Sequence, residues 1–280
     1  MDANAAPSFP LWSQLCTTDF ATLDPERTIA VLPVAAVEQH GPHLPLAVDA
    51  AILEGVMSAA VPHIPADVTA LSLPMQAVGL SSEHQRFPGT LTLKPETLVR
   101  LWCELGECVA RAGVRKLLLL NSHGGNVALL DIVGRELRSS CDLLVYGASW
   151  FNLPLLDPSG QDLNALFSPE EHRFGIHGGQ IETSVMLALA PQLVRMQHAV
   201  HFHSTSQDRA AAYPLLGNGR SAKLAWQMQD YHPQGAVGNA AAATAEHGRA
   251  LLDAAGRALA SLLAELSSMP LSTLRDRPLV

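Results

Sequence analysis

The chain has 280 residues, 48% hydrophobic and 16% charged, with a formal charge of −8. That length supports one sizeable core or two small ones. The acidic balance, with no basic run longer than two residues, excludes nucleic acid as a partner. No uncharged apolar stretch approaches the roughly 18 residues of a membrane span, so no membrane association is expected. The opening MDANAAPSFP has neither the positive nor the apolar region of a secretory signal. Cys16, Cys103, Cys108 and Cys141 fall at no CxxC or zinc-finger spacing. They are expected as reduced, mostly buried thiols of a cytoplasmic protein.

In chain order, TIAVLPVA (28–35) reads as a buried strand, and a helical pattern follows at about 50–60. VTALSLP (68–74) is a second strand and 95–112 a second helix. KLLLLN (116–121), a helix over 126–140 and the strand LLVYGAS (143–149) repeat the alternation. Strands alternating with helices predict an α/β fold with a mainly parallel sheet covered on both faces. Residues 238–266 predict an amphipathic helix whose apolar stripe is Leu251, Ala255, Leu259, Leu262 and Leu266. No repeat or low-complexity linker interrupts 1–280, which predicts one domain. Two segments, 150–176 and 200–237, are rich in Pro, Gly, Asn, Asp and Ser and read as irregular substrate or subunit-contact loops.

Three clusters sit at element boundaries. In VEQHGPHLPLAVDA (37–50), Glu38 and His40 share one face of extended chain at the C-terminal end of the first strand. Ligands bind at that end of open parallel sheets. A solvated turn is the competing reading for this pair, and a helix N-cap the competing reading for Asp49. LLLLNSHGGN places His123 at the end of a second strand, before Gly124 and Gly125. A phosphate loop there is weak without a following lysine. HGGQIETSVMLALA puts Glu182 in the first turn of a helix, with His177 five residues earlier. Each cluster has an ordinary explanation, and the three together do not share one.

The combination EQHGPHLPLAVD, NSHGGN and HGGQIETS, together with SSEHQRFPGTLTL (81–93), resembles the creatininase family of metal-dependent amidohydrolases. The resemblance spans about residues 25–265. It implies a three-layer α/β/α sandwich, a binuclear metal centre and a homohexamer. By position, Glu38, His40, Asp49, His123 and Glu182 match the metal-binding residues, with Asp49 bridging two divalent ions. Carboxylate and imidazole ligands without thiolate suit Zn²⁺, Mn²⁺ or Fe²⁺. His177 matches a proton-handling histidine, and His84 falls in a segment near the active site. The implied reaction is attack of a metal-bridging hydroxide on a non-peptide C–N bond of a small cyclic or linear amide. His177 would protonate the leaving nitrogen, and the N–H groups of Gly124 and Gly125 would support the oxyanion.

The chain also departs from creatininases proper. They carry an aromatic residue and a glutamate where Gly124 and Gly125 stand, and use tryptophan near the position of His177. Creatinine is therefore not the expected substrate. Many relatives have Glu at Gln180, whose role is left open. Alternatives are a relative acting on a formamide, a peptide end or a sugar-derived ketone, or a non-catalytic scaffold. His63, His172, His198, His201, His203, His232 and His247 show no ligand spacing.

Overall fold

A computed structural model describes residues 9–275. Four parallel strands, β1 (Ile29–Val34), β2 (Ala70–Ser72), β3 (Lys116–Asn121) and β4 (Leu144–Ser149), form a sheet in the order β2-β1-β3-β4. Ile29 pairs with both Ala70 and Lys116, and Lys116 pairs with Leu144. Period-two alternation sends Ile29, Val31, Leu118 and Leu120 to one face. Ala30, Leu32, Val34, Leu117 and Leu119 go to the other. On the first face lie α1 (Val48–Ala60), α5 (Gln180–Leu189) and α8 (Ala245–Ser268). On the second lie α2 (Pro95–Arg111) and α3 (Val127–Cys141). Both faces are thus covered, which is why β1 and β3 are apolar runs with no exposed face. The three-layer α/β/α sandwich expected from the sequence is the observed architecture.

Pro33 stands inside the central strand β1, where a missing N–H would ordinarily cost a ladder bond. Ile29 and Ala35 donate toward the β2 side, to Thr69 and Gln76. Pro33 has the same parity, and β2 has already ended at Ser72 on that side. The strand therefore loses no sheet partner at Pro33.

Three expectations need correction. The last helix starts at Ala245, not 238. Gly238 takes φ +105, and Gly238–Asn239 forms β6, paired antiparallel with β5 (His201–Phe202). Thr244 then caps α8 by accepting the His247 N–H. The segments 150–176 and 200–237 are not wholly irregular: they hold α4 (Pro169–Phe174), α6 (Thr205–Ala212) and α7 (Met228–Tyr231). None of the cysteines is buried; Cys16 and Cys108 are exposed, and Cys103 and Cys141 half-buried, all as free thiols. Cys108 lies beside Arg111 on the outer face of α2, away from the buried Leu98–Trp102–Val109 stripe.

Lys116, at the start of β3, is fully buried. Its Nζ donates to the carbonyls of Leu266 (2.9 Å), Ser267 (2.8 Å) and Met269 (2.6 Å), closing the C-terminus of α8. Hydrogen bonds to a charged donor are worth about 1.5–3 kcal/mol, so Lys116→Met should lose about 2–3 kcal/mol. Urea unfolding would read this as a lower midpoint at unchanged slope. An unchanged midpoint would show that the cap contributes nothing.

Candidate metal centre and active site

The C-terminal ends of β1 and β3 and the first turns of α1 and α5 converge on one buried cluster. Glu38 and His40 follow β1, His123 follows β3, and Asp49 and Glu182 lie in the first turns of α1 and α5. Glu38, His40, Asp49, His84, His123 and His177 are all buried. Two trios have ligand atoms within 4.8 Å of one another and share Asp49: Glu38–Asp49–His123 and His40–Asp49–Glu182. A third is Glu38–His40–His177. His123 Nδ1 lies 3.2 Å from Glu38 Oε1 and 4.0 Å from Asp49 Oδ1. His40 Nε2 lies 3.8 Å from Asp49 Oδ2 and 3.9 Å from Glu182 Oε2.

Both oxygens of Glu38, Oδ2 of Asp49 and Nε2 of His40 are buried without a hydrogen-bond partner. Buried charges normally have partners or coordinate cations. The outer ring nitrogens of the histidines are already committed. His123 Nε2 contacts the Leu80 carbonyl at 2.8 Å, and His40 Nδ1 contacts the Glu38 carbonyl at 3.1 Å. A backbone carbonyl takes an N–H, so the inward Nε2 of neutral His40 is a bare acceptor, as a metal ligand requires, and the inward Nδ1 of His123 becomes one once its proton is displaced. The residues fit divalent cation binding.

The electrostatics agree. Burial, then the Glu38 charge, pushes Asp49 well above the usual carboxylate range. Burial also raises Glu182 and Glu83. Burial lowers His40 and His177 to about 4 and His84 to about 2, so all three are neutral at ordinary pH. Glu38 and His123 form the exception. Burial opposes both charges, but each stabilises the other, holding Glu38 low and His123 up at about 10.

The Asp49 side chain is no helix cap: the N-cap of α1 is Ala47, two residues earlier. Glu182 Oε2 accepts the Gly178 N–H at 2.6 Å, tying the HGG turn to α5. Gln180 faces away, its amide donating to the Ala242 carbonyl. Gly124 and Gly125 begin the turn leading into α3 and line a cavity of about 450 Å³. As opening residues of a helical turn their N–H groups have no partner within it. A Cβ on Gly125 would lie 2.3 Å from the Leu80 carbonyl oxygen, so no side chain fits there without moving the backbone. The cavity also exposes Asp49, His177, Trp150, Phe151, Ile176 and Trp226. The first of the two loop-rich segments thus supplies much of its wall, whereas the second supplies Trp226.

Sequence reading overlooked several residues. Gln39 links His84, through its side-chain amide, and His177, through its backbone carbonyl. His43, buried, binds Thr183 Oγ1 at 3.0 Å behind the cluster. Glu171 accepts the N–H groups of Gln180 and Asn239, clasping α5 to β6. His172, set aside on spacing, lines the cavity with Nε2 on the Asn164 carbonyl. Of these, Glu171 was least accessible to reading, because its partners are backbone groups distant in the chain.

Comparison with known proteins places the chain in a family. The mycofactocin precursor peptide peptidase of Mycobacterium tuberculosis is 31% identical over 252 residues, 88% of either chain. The creatinine amidohydrolase of Pseudomonas putida is 33% identical over 184 residues, covering 61% of this chain and 68% of its own. A manganese form of creatininase superposes with a TM-score of 0.69 at 26% identity, covering 92% of this chain and 98% of that one. The family profile for creatinine amidohydrolase matches residues 13–263. The chain belongs to the creatininase family of hydrolases, which act on amide C–N bonds.

Proposed function

We propose that the chain hydrolyses an amide C–N bond at a centre holding two divalent cations, Zn²⁺, Mn²⁺ or Fe²⁺. The observation that carries this reading is the pair of trios sharing Asp49, buried except for the half-buried Glu182, with oxygens of Glu38 and Asp49 left without partners. Glu38, Asp49 and His123 would hold one ion, and His40, Asp49 and Glu182 the other. Such a pair lowers the pKa of water and polarises a carbonyl oxygen. His177 Nε2 contacts the Gln39 carbonyl at 2.6 Å, which leaves Nδ1 bare toward Glu38 Oε1 at 3.6 Å. Nδ1 therefore takes the proton from the attacking water and passes it to the leaving nitrogen. Gly124 and Gly125, on the cavity wall, would support the developing oxyanion through their N–H groups.

On substrate, two observations favour a peptide end over the compact amide expected from sequence. A cavity of about 450 Å³ with Trp150, Phe151, Leu155, Ile176, Ile181 and Trp226 on its wall has the size and apolarity of a site for several linked groups. One relative aligned over 88% of the chain is a peptide peptidase. The small cyclic or linear amide remains the second reading, supported by the creatinine amidohydrolase relative. A panel of peptide amides, lactams, ureides and formamides on metal-loaded enzyme tests both; turnover of none would overturn the amidohydrolase reading.

Metal uptake should release protons. His123 is held as imidazolium by Glu38 with a pKa near 10, and a cation must displace the proton from Nδ1. Affinity should thus rise with pH between about 6 and 9, measured by competition with a chelator. Affinity independent of pH would contradict His123 as a ligand.

We also propose a closed homo-oligomer, a hexamer by family resemblance. Tyr213, Leu215, Leu216 and Leu224 are 51–69% exposed along one segment, an apolar surface suited to a subunit contact. Light scattering giving a monomer of 29.8 kDa would overturn this.

A further inference from the structure

Gln39 lies between two residues of the cluster and reaches the two histidines that ligate nothing in the shared trios. Its Oε1 accepts the Gly41 N–H at 3.0 Å. A backbone N–H is an unambiguous donor, so this bond fixes which end of the amide is oxygen. The NH₂ end must then be Nε2, which lies 2.7 Å from His84 Nδ1. An amide NH₂ can only donate. His84 Nδ1 is consequently the bare acceptor, and the ring proton of neutral His84 sits on Nε2.

His84 Nε2 faces the cluster, 3.6 Å from Glu38 Oε1. The neighbouring ring has the opposite arrangement. At 2.6 Å from the Gln39 carbonyl, His177 Nε2 must carry hydrogen, because two lone pairs would repel at that separation. Gln39 Nε2, 3.3 Å from the same nitrogen, is a donor as well and makes no bond to it. His40, His177 and His84 stack in sequence, with centroids 4.0 Å and 4.2 Å apart. One residue, through its carbonyl and its amide, thus turns a donor nitrogen of His84 and an acceptor nitrogen of His177 toward the same space.

The surroundings keep the amide in this pose. A Cβ on Gly235, whose φ is +81, would overlap Gln39 Oε1, so only glycine leaves room for it. Gln39 N–H donates to Thr90 Oγ1 at 3.1 Å, and Trp226 meets His84 edge-on with centroids 6.2 Å apart.

We infer that Gln39 is a positioning residue that fixes the His84 tautomer, so that His84 Nε2–H donates a hydrogen bond to the oxygen of the substrate amide. The role in turnover rests on the amidohydrolase reading above; the tautomer does not. The isosteric Gln39→Glu keeps the acceptor for Gly41 but presents an acceptor to His84 as well, which should move the ring proton to Nδ1. A wrong tautomer at intact geometry is known to be costly in a catalytic triad.

Zinc-loaded protein with ¹⁵N-labelled histidine tests this directly, with the His84 signals identified by their loss in His84→Asn. Wild type should show a bare Nδ1 and a protonated Nε2, and Gln39→Glu the reverse. Hydrolysis of an N-acetyl dipeptide anilide should fall about 10²- to 10³-fold in kcat, the usual cost of one oxyanion donor, with KM and zinc content unchanged. Gln39→Met removes the donor without adding charge and should leave His84 a mixture of tautomers with an intermediate kcat. It carries the test if the Glu variant does not fold.

Hydrogen on Nδ1 of wild-type His84 would overturn the inference whatever the activity. A reversed tautomer with full kcat would overturn the role in turnover. The expected tautomers in a protein that cleaves no amide would instead leave the positioning intact and remove the amidohydrolase reading.

Discussion

Asp49→Ala should yield a folded chain that holds neither divalent ion and hydrolyses no amide. Asp49 is the one residue common to both trios, with Oδ1 toward His123 and Oδ2 toward His40. Removing it leaves each remaining pair short of a ligand and of the negative charge that offsets two cations. Elemental analysis of wild type should give close to two ions per chain, and of the variant close to none. Were Asp49 a helix cap, the substitution would cost about 0.5–2 kcal/mol. The N-cap is Ala47, so that cost should not be seen.

The metal-free proteins give the opposite sign. Asp49 is raised in the fold by burial first and then by Glu38. A carboxyl raised on folding costs stability as pH climbs above its unfolded value of about 3.9. At neutral pH the chelated wild type therefore carries a penalty that Asp49→Ala relieves. Its melting temperature after chelation should equal or exceed that of chelated wild type. A folded variant retaining both ions would sink the assignment.

Much of this site was legible because ligand chemistry and element boundaries coincide in the chain. Strand ends at Val34 and Asn121 are marked by apolar runs giving way to polar residues, and Glu38, His40 and His123 lie just past them. Period two placed Glu38 and His40 together, and their side chains do meet in one trio. The same rule would put Gln39 on the opposite face. The chain leaves the sheet after Val34, so three consecutive side chains reach the same chemistry. Alternation holds only while the strand does.

The boundary of α8 departs from the expected one for a related reason. Residues 238–244, GNAAAAT, have good helical composition, and only Gly238 with φ +105 and Thr244 as a cap exclude them from the helix. The pairing of β5 with β6, which brings Val237 beside His177, is a long-range contact that no local pattern encodes. Packing chose a strand over propensity there.

His177→Ala should retain both ions and lose about 10²- to 10⁴-fold in kcat, the range for general acid/base catalysis. Glu182→Gln should do the reverse, weakening one ion while the other stays. The two residues are five apart and both line the cavity, so sequence spacing does not separate them. Geometry does. Glu182 Oε2 faces His40 Nε2 at 3.9 Å within a trio containing Asp49. His177 Nδ1 faces Glu38 in a trio without Asp49, and its Nε2–H is spent on the Gln39 carbonyl. A ring so anchored keeps one bare nitrogen at the reacting space, suited to collect a proton and return it to nitrogen.

Its low pKa, set first by burial, keeps that nitrogen free at neutral pH. The loss in His177→Ala should shrink for anilides with better leaving groups, because these need less protonation. A purely structural role for His177 would leave that dependence unchanged. If His177→Ala instead strips an ion and Glu182→Gln keeps both, the roles are exchanged. The glutamate at the start of α5 is then the proton carrier, and the histidine a ligand in the trio with Glu38 and His40.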